Sequence, residues 1–453
     1  MCGNSLVLKI NILHYFCHCS SVIHFQILLF SLFPQQSPPS ILSTHWRHLY
    51  TYITRLSYST RHPSEESKDK YFRQSQEKEF PNHMKEAYDF LSSNKDCRFL
   101  KEFKFHTPYL KGGNIKTWLP LLLEKEVESI DIRIIYQNKA MPGYYTFPRR
   151  TLIKRKGGDL GLFPGLKSLR KLSLCSLHVD DRDVEFFISN CTVLEHLSIV
   201  GSHRLKKVSL VGHSKLKSLE VSSSRNLISI EVRDMINLVS LTCYKLHHMY
   251  SQPKYSILLQ NVPKLVEFNS SDQLHLLGLI FPSISSPILD QLLHINVISV
   301  ERSRHVIYPP IPVLKNLKHL KLQVNCLNGS KSILLDFPAY WECPSLEKIE
   351  IKLLWRSCEV FDDGYHNSIM EELKRGYLIV EPHSHLKEVR LSGCIGSPVE
   401  LSLLFLLVKQ AVALEQLIVE PCQETPEIRQ RVVVLVREHL RRITPVPINL
   451  III

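Results

Sequence analysis

Four side chains that bind transition metals crowd into six residues, with His14, Cys17, His18 and Cys19 inside HYFCHC. Thiolate and imidazole are the donors of a tetrahedral zinc site, but such a site needs a second pair of ligands at a suitable distance. None follows in order, so no metal site is expected. Residues 156–161, KGGDLG, carry glycines as a phosphate-cradling turn does, yet they lack the Gly-Lys-Ser/Thr ending and open no clear helix, which leaves an ordinary loop. His247 and His248 stand where a strand would leave the core and read as a surface turn. GxSxG, HExxH and calcium-loop spacings do not occur. These residues propose no enzyme, no cofactor and no metal, so function has to be sought in a surface.

A repeat defines that surface. LEHLSI, LKKVSL, LKSLEV, LISIEV and LVSLTC begin at Leu194, Leu205, Leu216, Leu227 and Leu238, eleven residues apart each time. In L-x-x-L-x-L the fourth and sixth positions share one side of a period-two strand, and the first enters the core as the chain bends in. Eleven residues are too few for a leucine-rich coil, which takes about 20 to 29; two elevens suffice. Leu194, Leu216 and Leu238 are therefore expected to open strands on one face, with Leu205 and Leu227 opening return strands on the opposite face. The phrase recurs at Leu100, Val127, Leu169, Leu265, Leu292, Leu317, Leu346, Leu386 and Leu414, mostly in steps of 22 to 29 residues. Two longer steps, near 40 residues, hold MPGYYTFPRRTLIKRKGGDLG and RSCEVFDDGYHNS, each expected to be a degenerate coil or an insertion.

The expected fold is α/β: a leucine-rich repeat solenoid of about a dozen coils, with a curved parallel sheet and with helices and short return strands on the convex side. DDRDVEFFISNC has helical periodicity, with Val184, Phe187 and Ile188 on one face and Asp180 or Asp181 as the cap. TPEIRQRVVVLVREHLRRI, with Thr425 as cap, Pro426 at its first position, Glu427 in the first turn and basic residues in the last, is expected to be a helix closing the last coil.

On such a sheet the side chains alternating with the leucines face outward on the concave side. In order they include Glu102 and Lys104, Ser129 and Asp131, Lys171 and Ser173, His196 and Ser198, Ser218 and Glu220, and Ser240 and Thr242. They continue with Glu267 and Asn269, His294 and Asn296, His319 and Lys321, Lys348 and Glu350, and Glu388 and Arg390. Both signs alternate with few aromatics, which suits a protein partner; phosphates would want an unbroken basic stripe.

Composition agrees. The chain has 44% hydrophobic and 22% charged residues, those of a folded body with a core. Its net charge is +13, but the 56 Lys and Arg are scattered and mostly sit beside acids, as in EKEVESIDIR, so no nucleic-acid partner is expected. The 12 cysteines occur without CxxC pairs and fit reduced thiols of the cytoplasm or nucleus. Residues 10–33 are apolar enough to raise an alternative, a membrane-associated N-terminus, although His14, His18 and His24 interrupt them at a cost in insertion energy, so no membrane partner is expected.

Three blocks resemble a known family. Residues 160–201, LGLFPGLKSLRKLSLCSLHVDDRDVEFFISNCTVLEHLSIVG, are similar to the central block of plant F-box/leucine-rich repeat proteins. Residues 115–134, IKTWLPLLLEKEVESIDIRI, resemble the family's early repeat, and residues 385–421 resemble its C-terminal FBD segment. The resemblance implies a substrate receptor whose F-box, a three-helix module, grips a Skp-type adaptor of a cullin (SCF) ubiquitin ligase. Residues 41–60, ILSTHWRHLYTYITRLSYST, resemble only the end of that module, with Ser43, Trp46, Arg47, Leu49 and Tyr50 in matching positions. No Leu-Pro phrase precedes them, and Pro34, Pro38 and Pro39 break any earlier helix. Adaptor docking uses all three helices, so this chain is expected not to hold the adaptor. The expected organisation is a hydrophobic or aberrant, poorly ordered segment 1–40, an F-box helix remnant 41–60, a linker and first helix 61–98, the repeats 99–382, and FBD-like repeats with a capping helix 383–453. The alternative function is an adaptor-less scaffold tethered by residues 10–33.

Overall fold

The leucine phrases become strands, each opened by a leucine sunk in the core. The computed structural model describes residues 9–12, 53–59, 88, 92, 100–107, 113–134, 145–156, 159–224, 226–244, 256–270, 286–298, 314–326, 343–355, 382–422, 426–441 and 448–453. They fall in two compact units, residues 1–227 and 228–453.

In the first unit the strands are β1 (Lys9–Ile12), β2 (Ile53–Ser59), β3 (Glu102–Thr107), β4 (Ser129–Ile134), β5 (Ile153–Lys156), β6 (Asp159–Leu162), β7 (Lys171–Cys175), β8 (His196–Val200), β9 (Lys207–Val211) and β10 (Ser218–Ser222). The main sheet runs β1-β2-β3-β4-β7-β8-β10 and is parallel from β2 onward. Its helices among the described residues include α1 (Gly113–Glu124) and α2 (Asp181–Asn190). In the second unit β11 (Ser229–Arg233) pairs parallel with β13 (Ser256–Gln260). The main sheet there comprises β12 (Ser240–Tyr244), β14 (Glu267–Ser270), β15 (His294–Ile298), β16 (His319–Cys326), β17 (Lys348–Trp355), β18 (Glu388–Cys394), β19 (Gln416–Pro421) and β20 (Asn449–Ile452), all in parallel. The helices of this unit are α3 (Ser286–Gln291), α4 (Pro398–Gln410) and α5 (Pro426–Arg441). Each unit is thus an α/β stack of leucine-rich repeat coils, and the strands fall on the expected leucines, including the return strands β9 and β11 after Leu205 and Leu227.

One device repeats along the main sheets from β3 to β8 and from β14 to β19. The carbonyl of the residue just before a strand accepts two N–H groups from the next coil: Arg170 O takes Glu195 N at 2.7 Å and His196 N at 3.0 Å, and Lys318 O takes Glu347 N and Lys348 N at 2.9 Å each. A one-residue slip would break both bonds and turn each strand's apolar face to water. The opening leucines Leu194, Leu205, Leu216, Leu238, Leu265, Leu317, Leu346 and Leu386 are all completely buried, a contribution of about 1.5–3 kcal/mol per side chain. Three residues before the opening leucine lies a second buried position, held by Leu166, Cys191, Met235, Val262, Leu314, Cys343 and Ala411. Histidine fills it twice. His213 Nε2 donates to Cys191 O at 3.0 Å while its Nδ1 accepts Leu216 N at 3.2 Å, and His383 Nε2 donates to Cys343 O at 2.8 Å. The imidazole stitches one coil to the one before it by replacing backbone contacts.

The capping details follow local chemistry. Asp180, not Asp181, caps α2, in a capping box with Asp183, and Arg149 Nη1 reaches Asp183 at 2.9 Å and Asp180 at 3.2 Å. Burial pushes the Asp183 carboxyl up to about 6, against the pull of the Asp180 amide and Arg149. Asp181 instead accepts Lys206 N and Lys207 N from the following coil at 2.8 and 3.0 Å. The first long step holds a short 3-10 turn (Arg149–Leu152) and the antiparallel pair of β5 with β6, so Lys156 and Asp159, Leu160 and Gly161 of the expected loop lie in strands.

Three expectations change. Residues 53–59, taken as the tail of a helix, form strand β2: ITRLSYS alternates with period two and holds β-branched residues, and β3 offers an open edge in register Arg55↔Glu102. Within the segment 1–40 expected to lack order, Lys9–Ile12 forms β1, antiparallel to β2. The helix α5 is present but is not the last element, since Asn449–Ile452 adds β20 beyond β19. Of residues 61–98 only Tyr88 and Ser92 are described, both helical, with the Tyr88 ring edge-on to Trp118 at 5.9 Å. The division expected at residues 382/383 falls inside the second unit, where β17 pairs directly with β18.

Candidate protein-binding face

Parallel pairing in register converts scattered polar residues into straight rows, because each strand contributes the same positions to the face away from the leucines. In the first unit one row runs Arg55, Glu102, Ser129, Lys171, His196, Ser218, and the next runs Ser57, Lys104, Asp131, Ser173, Ser198, Glu220. In the second unit Ser240, Glu267, His294, His319, Lys348, Glu388, Gln416 form one row and Thr242, Asn269, Asn296, Lys321, Glu350, Arg390 another. Every concave-face candidate drawn from the alternation lies on these rows: Lys171, Ser173, His196, Ser198, Ser218, Glu220, Ser240, Thr242, His319, Lys321, Lys348, Glu350, Glu388 and Arg390. Ser43, Trp46, Arg47, Leu49 and Tyr50, the HYFCHC stretch, and His247 and His248 lie outside the described residues.

The alternation missed a third row, two residues further on: His106, Arg133 and Cys175 in the first unit, and Gln323, Lys352 and Ser392 in the second. Extending the period-two reading by one more step would have found it. A further row, the residues just ahead of the strands, also carries charge. Lys101, Glu128, Arg170, Glu195 and Lys217 alternate in sign coil by coil, with Lys101 Nζ 3.7 Å from Glu128, Arg170 Nη1 2.7 Å from Glu195, and Lys217 Nζ 2.7 Å from Glu195. Hydrogen bonds from Lys217 and then Arg170 hold the Glu195 carboxyl below its ordinary value. The second unit repeats the arrangement with Lys318 to Glu347 at 3.0 Å and Lys387 to Glu415 at 3.4 Å.

Most charges on the rows are internally matched. Asp131 is buried on the face and accepts His106 Nε2 at 3.1 Å and Arg133 Nε at 3.2 Å. Burial raises its carboxyl, but the hydrogen bonds from His106, Arg133 and Ser173, with the Arg133 charge, outweigh it and bring the pKa down to about 2. Glu102 takes Lys104 at 2.7 Å and Arg55 at 3.2 Å. In the second unit Glu350 sits among Lys348 at 2.9 Å, Lys321 at 3.3 Å and His319 at 3.5 Å, Lys348 also reaches Glu388 at 3.0 Å, and Arg390 reaches Glu420 at 3.3 Å. Hydrogen bonding to Glu350 raises the Lys348 ammonium, and burial lowers the His319 imidazole, whose ring stands edge-on to His294 at 5.8 Å. Asn269 Nδ2 donates to Thr242 Oγ1 and Glu267 Oε1. No group of three or more His, Cys, Asp or Glu that could hold a metal ion occurs among the described residues, and Cys175, Cys191, Cys243, Cys343, Cys394 and Cys422 are not in disulfides. The arrangement offers directional polar groups in fixed rows, which is what recognition of another chain uses.

A family model described as the leucine-rich repeats of FBD-associated F-box protein At5g56370 matches residues 116–351, a little over half of the chain. The chain belongs to this family of FBD-associated F-box leucine-rich repeat proteins. The match spans coils from α1 to β17 and therefore contains most of the rows just described. Membership indicates a protein-interaction repeat module of an F-box-associated protein, with a non-catalytic role suggested by the repeat class. No curated protein matches the chain significantly.

Proposed function

We propose that this FBD-associated F-box leucine-rich repeat protein is a substrate receptor of an SCF-type cullin ubiquitin ligase, non-catalytic in itself, that takes its protein substrate on the polar rows of the sheet. The observation that carries the reading is the register: in both units parallel ladders align candidate contact residues from successive coils, on a rigid scaffold, in the family to which the chain belongs. Rows of mixed sign favour a folded or extended protein over a nucleic acid.

The adaptor is the second part of the proposal. The matching positions Ser43, Trp46, Arg47, Leu49 and Tyr50 supply only the end of an F-box, so this sequence is expected not to retain a Skp-type adaptor in a pull-down, and to retain it once a complete F-box is fused ahead of residue 41. Equal, strong retention by both forms would overturn the adaptor argument. The receptor role is tested in the fused form: substrate recruitment should be lost on Ser198→Trp while adaptor and cullin are still recovered. Recruitment that survives blocking substitutions on the rows of both units would remove the face from the proposal. We place the protein in the cytoplasm or nucleus; among the described residues no helix is long and apolar enough to cross a membrane. Fractionation of a tagged chain tests this, and recovery with membranes would favour the scaffold tethered by residues 10–33.

A further inference from the structure

Among the described residues of the first unit's face one cation touches no acid. Arg55 and Lys104 share Glu102, Arg133 pairs with Asp131, and Lys101, Arg170 and Lys217 of the row ahead of the strands each touch Glu128 or Glu195. Lys171, exposed at the start of β7, has no ion pair among the described residues. The carboxylates around it are already engaged: Asp131 by His106 and Arg133, Glu128 by Lys101 and Arg170, and Glu195 by Arg170 and Lys217. Its row neighbour His196, also exposed, adds ring nitrogens, and burial and then the Lys171 charge lower the imidazole's affinity for a proton. Two strands along, Glu220 carries a charge met only by neutral hydroxyls, with Ser198 Oγ donating to Oε2 at 2.6 Å and Ser222 Oγ to Oε1 at 3.2 Å. Between these uncompensated charges lie the small side chains Ser173, Ser198 and Ser218, which leave the backbone plane low enough for another chain to lie on it.

We propose that β7, β8 and β10 form the specificity-determining patch for the substrate, and that its occupant is an extended protein segment carrying an acidic side chain for Lys171 and His196 and a basic side chain for Glu220. The proposal rests on the reading of the polar rows as a protein-binding surface and gives that surface a partner chemistry. Strands β7 and β10 are two steps apart at about 4.8 Å each, and the two positions differ by two residues of about 3.3 Å, so the charges project from points roughly 12 Å apart, the span of three or four extended residues. A polyanion is disfavoured because it would also meet Glu102, Asp131 and Glu220 on the same face. Fixed opposite charges of this kind set partner choice and orientation.

The test is selection of random dodecapeptides on the full chain, followed by affinity measurement of the recovered peptides. The expected peptides pair an acid and a base three or four residues apart; Lys171→Glu weakens them about tenfold, near 1.4 kcal/mol, and exchanging the peptide's acid for lysine restores binding to that variant. Circular dichroism of Lys171→Glu should match the parent, since the side chain is exposed. Peptides lost on Ser198→Trp but without the charge pair would overturn this inference and leave the binding face standing. Peptides indifferent to Ser198→Trp would overturn both, and an empty selection would overturn the linear acid-base segment proposed here.

Discussion

Asp131 shows how a single polar residue can be both part of a surface and part of the scaffold. Its folded-state pKa of about 2 lies below the ordinary carboxylate value of 3.8. A depressed carboxylate contributes stability above its unfolded pKa and loses it as pH falls through the folded one. Asp131→Asn is therefore expected to cost about 2 kcal/mol at pH 7 in denaturant titrations, with the gap to the parent narrowing below pH 4. A gap that persists undiminished toward pH 2 would assign the loss to shape instead of charge. His213 is a second case. His213→Ala takes the side-chain partner from buried Leu216 N and one of two donors from Cys191 O, which keeps Leu194 N, so a loss of about 1–3 kcal/mol is expected, with faster amide exchange at Leu216. The outward positions of the strands were legible from alternation alone, because period two leaves no choice of side. The internal pairing was not: whether Lys171 or Arg133 meets a carboxylate depends on which strands become neighbours, and the inward histidines look like any surface histidine. Only their place three residues before the opening leucine, beside Cys191 and Met235 at the same place, marks them.

Among the elements, the leucine phrases predicted nearly every strand of the main sheets, while elements with other chemistry escaped. Strand β20, from NLII, has no leading leucine at the usual spacing, and β2 was hidden because its resemblance to an F-box helix and its own period-two alternation point to different elements. The loops carry their own determinants. Gly393 sits at φ +80 on the bulge of β18, where an added Cβ would lie 2.2 Å from Leu353 O, and its carbonyl accepts Trp355 Nε1 at 3.0 Å. Gly393→Ala has to separate β17 from β18 there and is expected to cost more than about 2 kcal/mol, read as a lowered midpoint and faster exchange in β18. At the start of α4, Ser397 caps Glu400, and the Glu400 carboxylate returns bonds to Ile395 N, Gly396 N and Ser397 N at 2.7 to 3.1 Å. Burial raises that carboxyl to about 7 despite these bonds. Since the raised carboxyl keeps its proton in the fold while the unfolded chain has lost it, this residue's contribution falls as pH climbs from about 4.5 to 7 and is level above. Glu400→Gln should flatten that slope in stability measured across this range; an unchanged slope would exclude Glu400 as its source.

For the whole molecule, a net charge of +13 invites a polyanion, yet on the described rows most cations sit against acids. Retention on a phosphate-bearing resin is expected to break near physiological salt, whereas a dedicated nucleic-acid surface would hold well beyond it. The coil count was legible because the stack is built from one repeating unit; the split into residues 1–227 and 228–453 was not, since the leucine phrase runs through residue 227 without a change in spacing. The belt Lys101, Glu128, Arg170, Glu195, Lys217 has one more implication, a parity rule for the growth of such an array. Excising any single interior coil would set two like charges side by side, as Glu128 beside Glu195 once the Arg170 coil is gone, whereas excising two consecutive coils restores opposites. Each exposed contact is worth only a few tenths of a kcal/mol, so the rule does not decide whether the array folds, but it favours gain and loss of coils in even numbers.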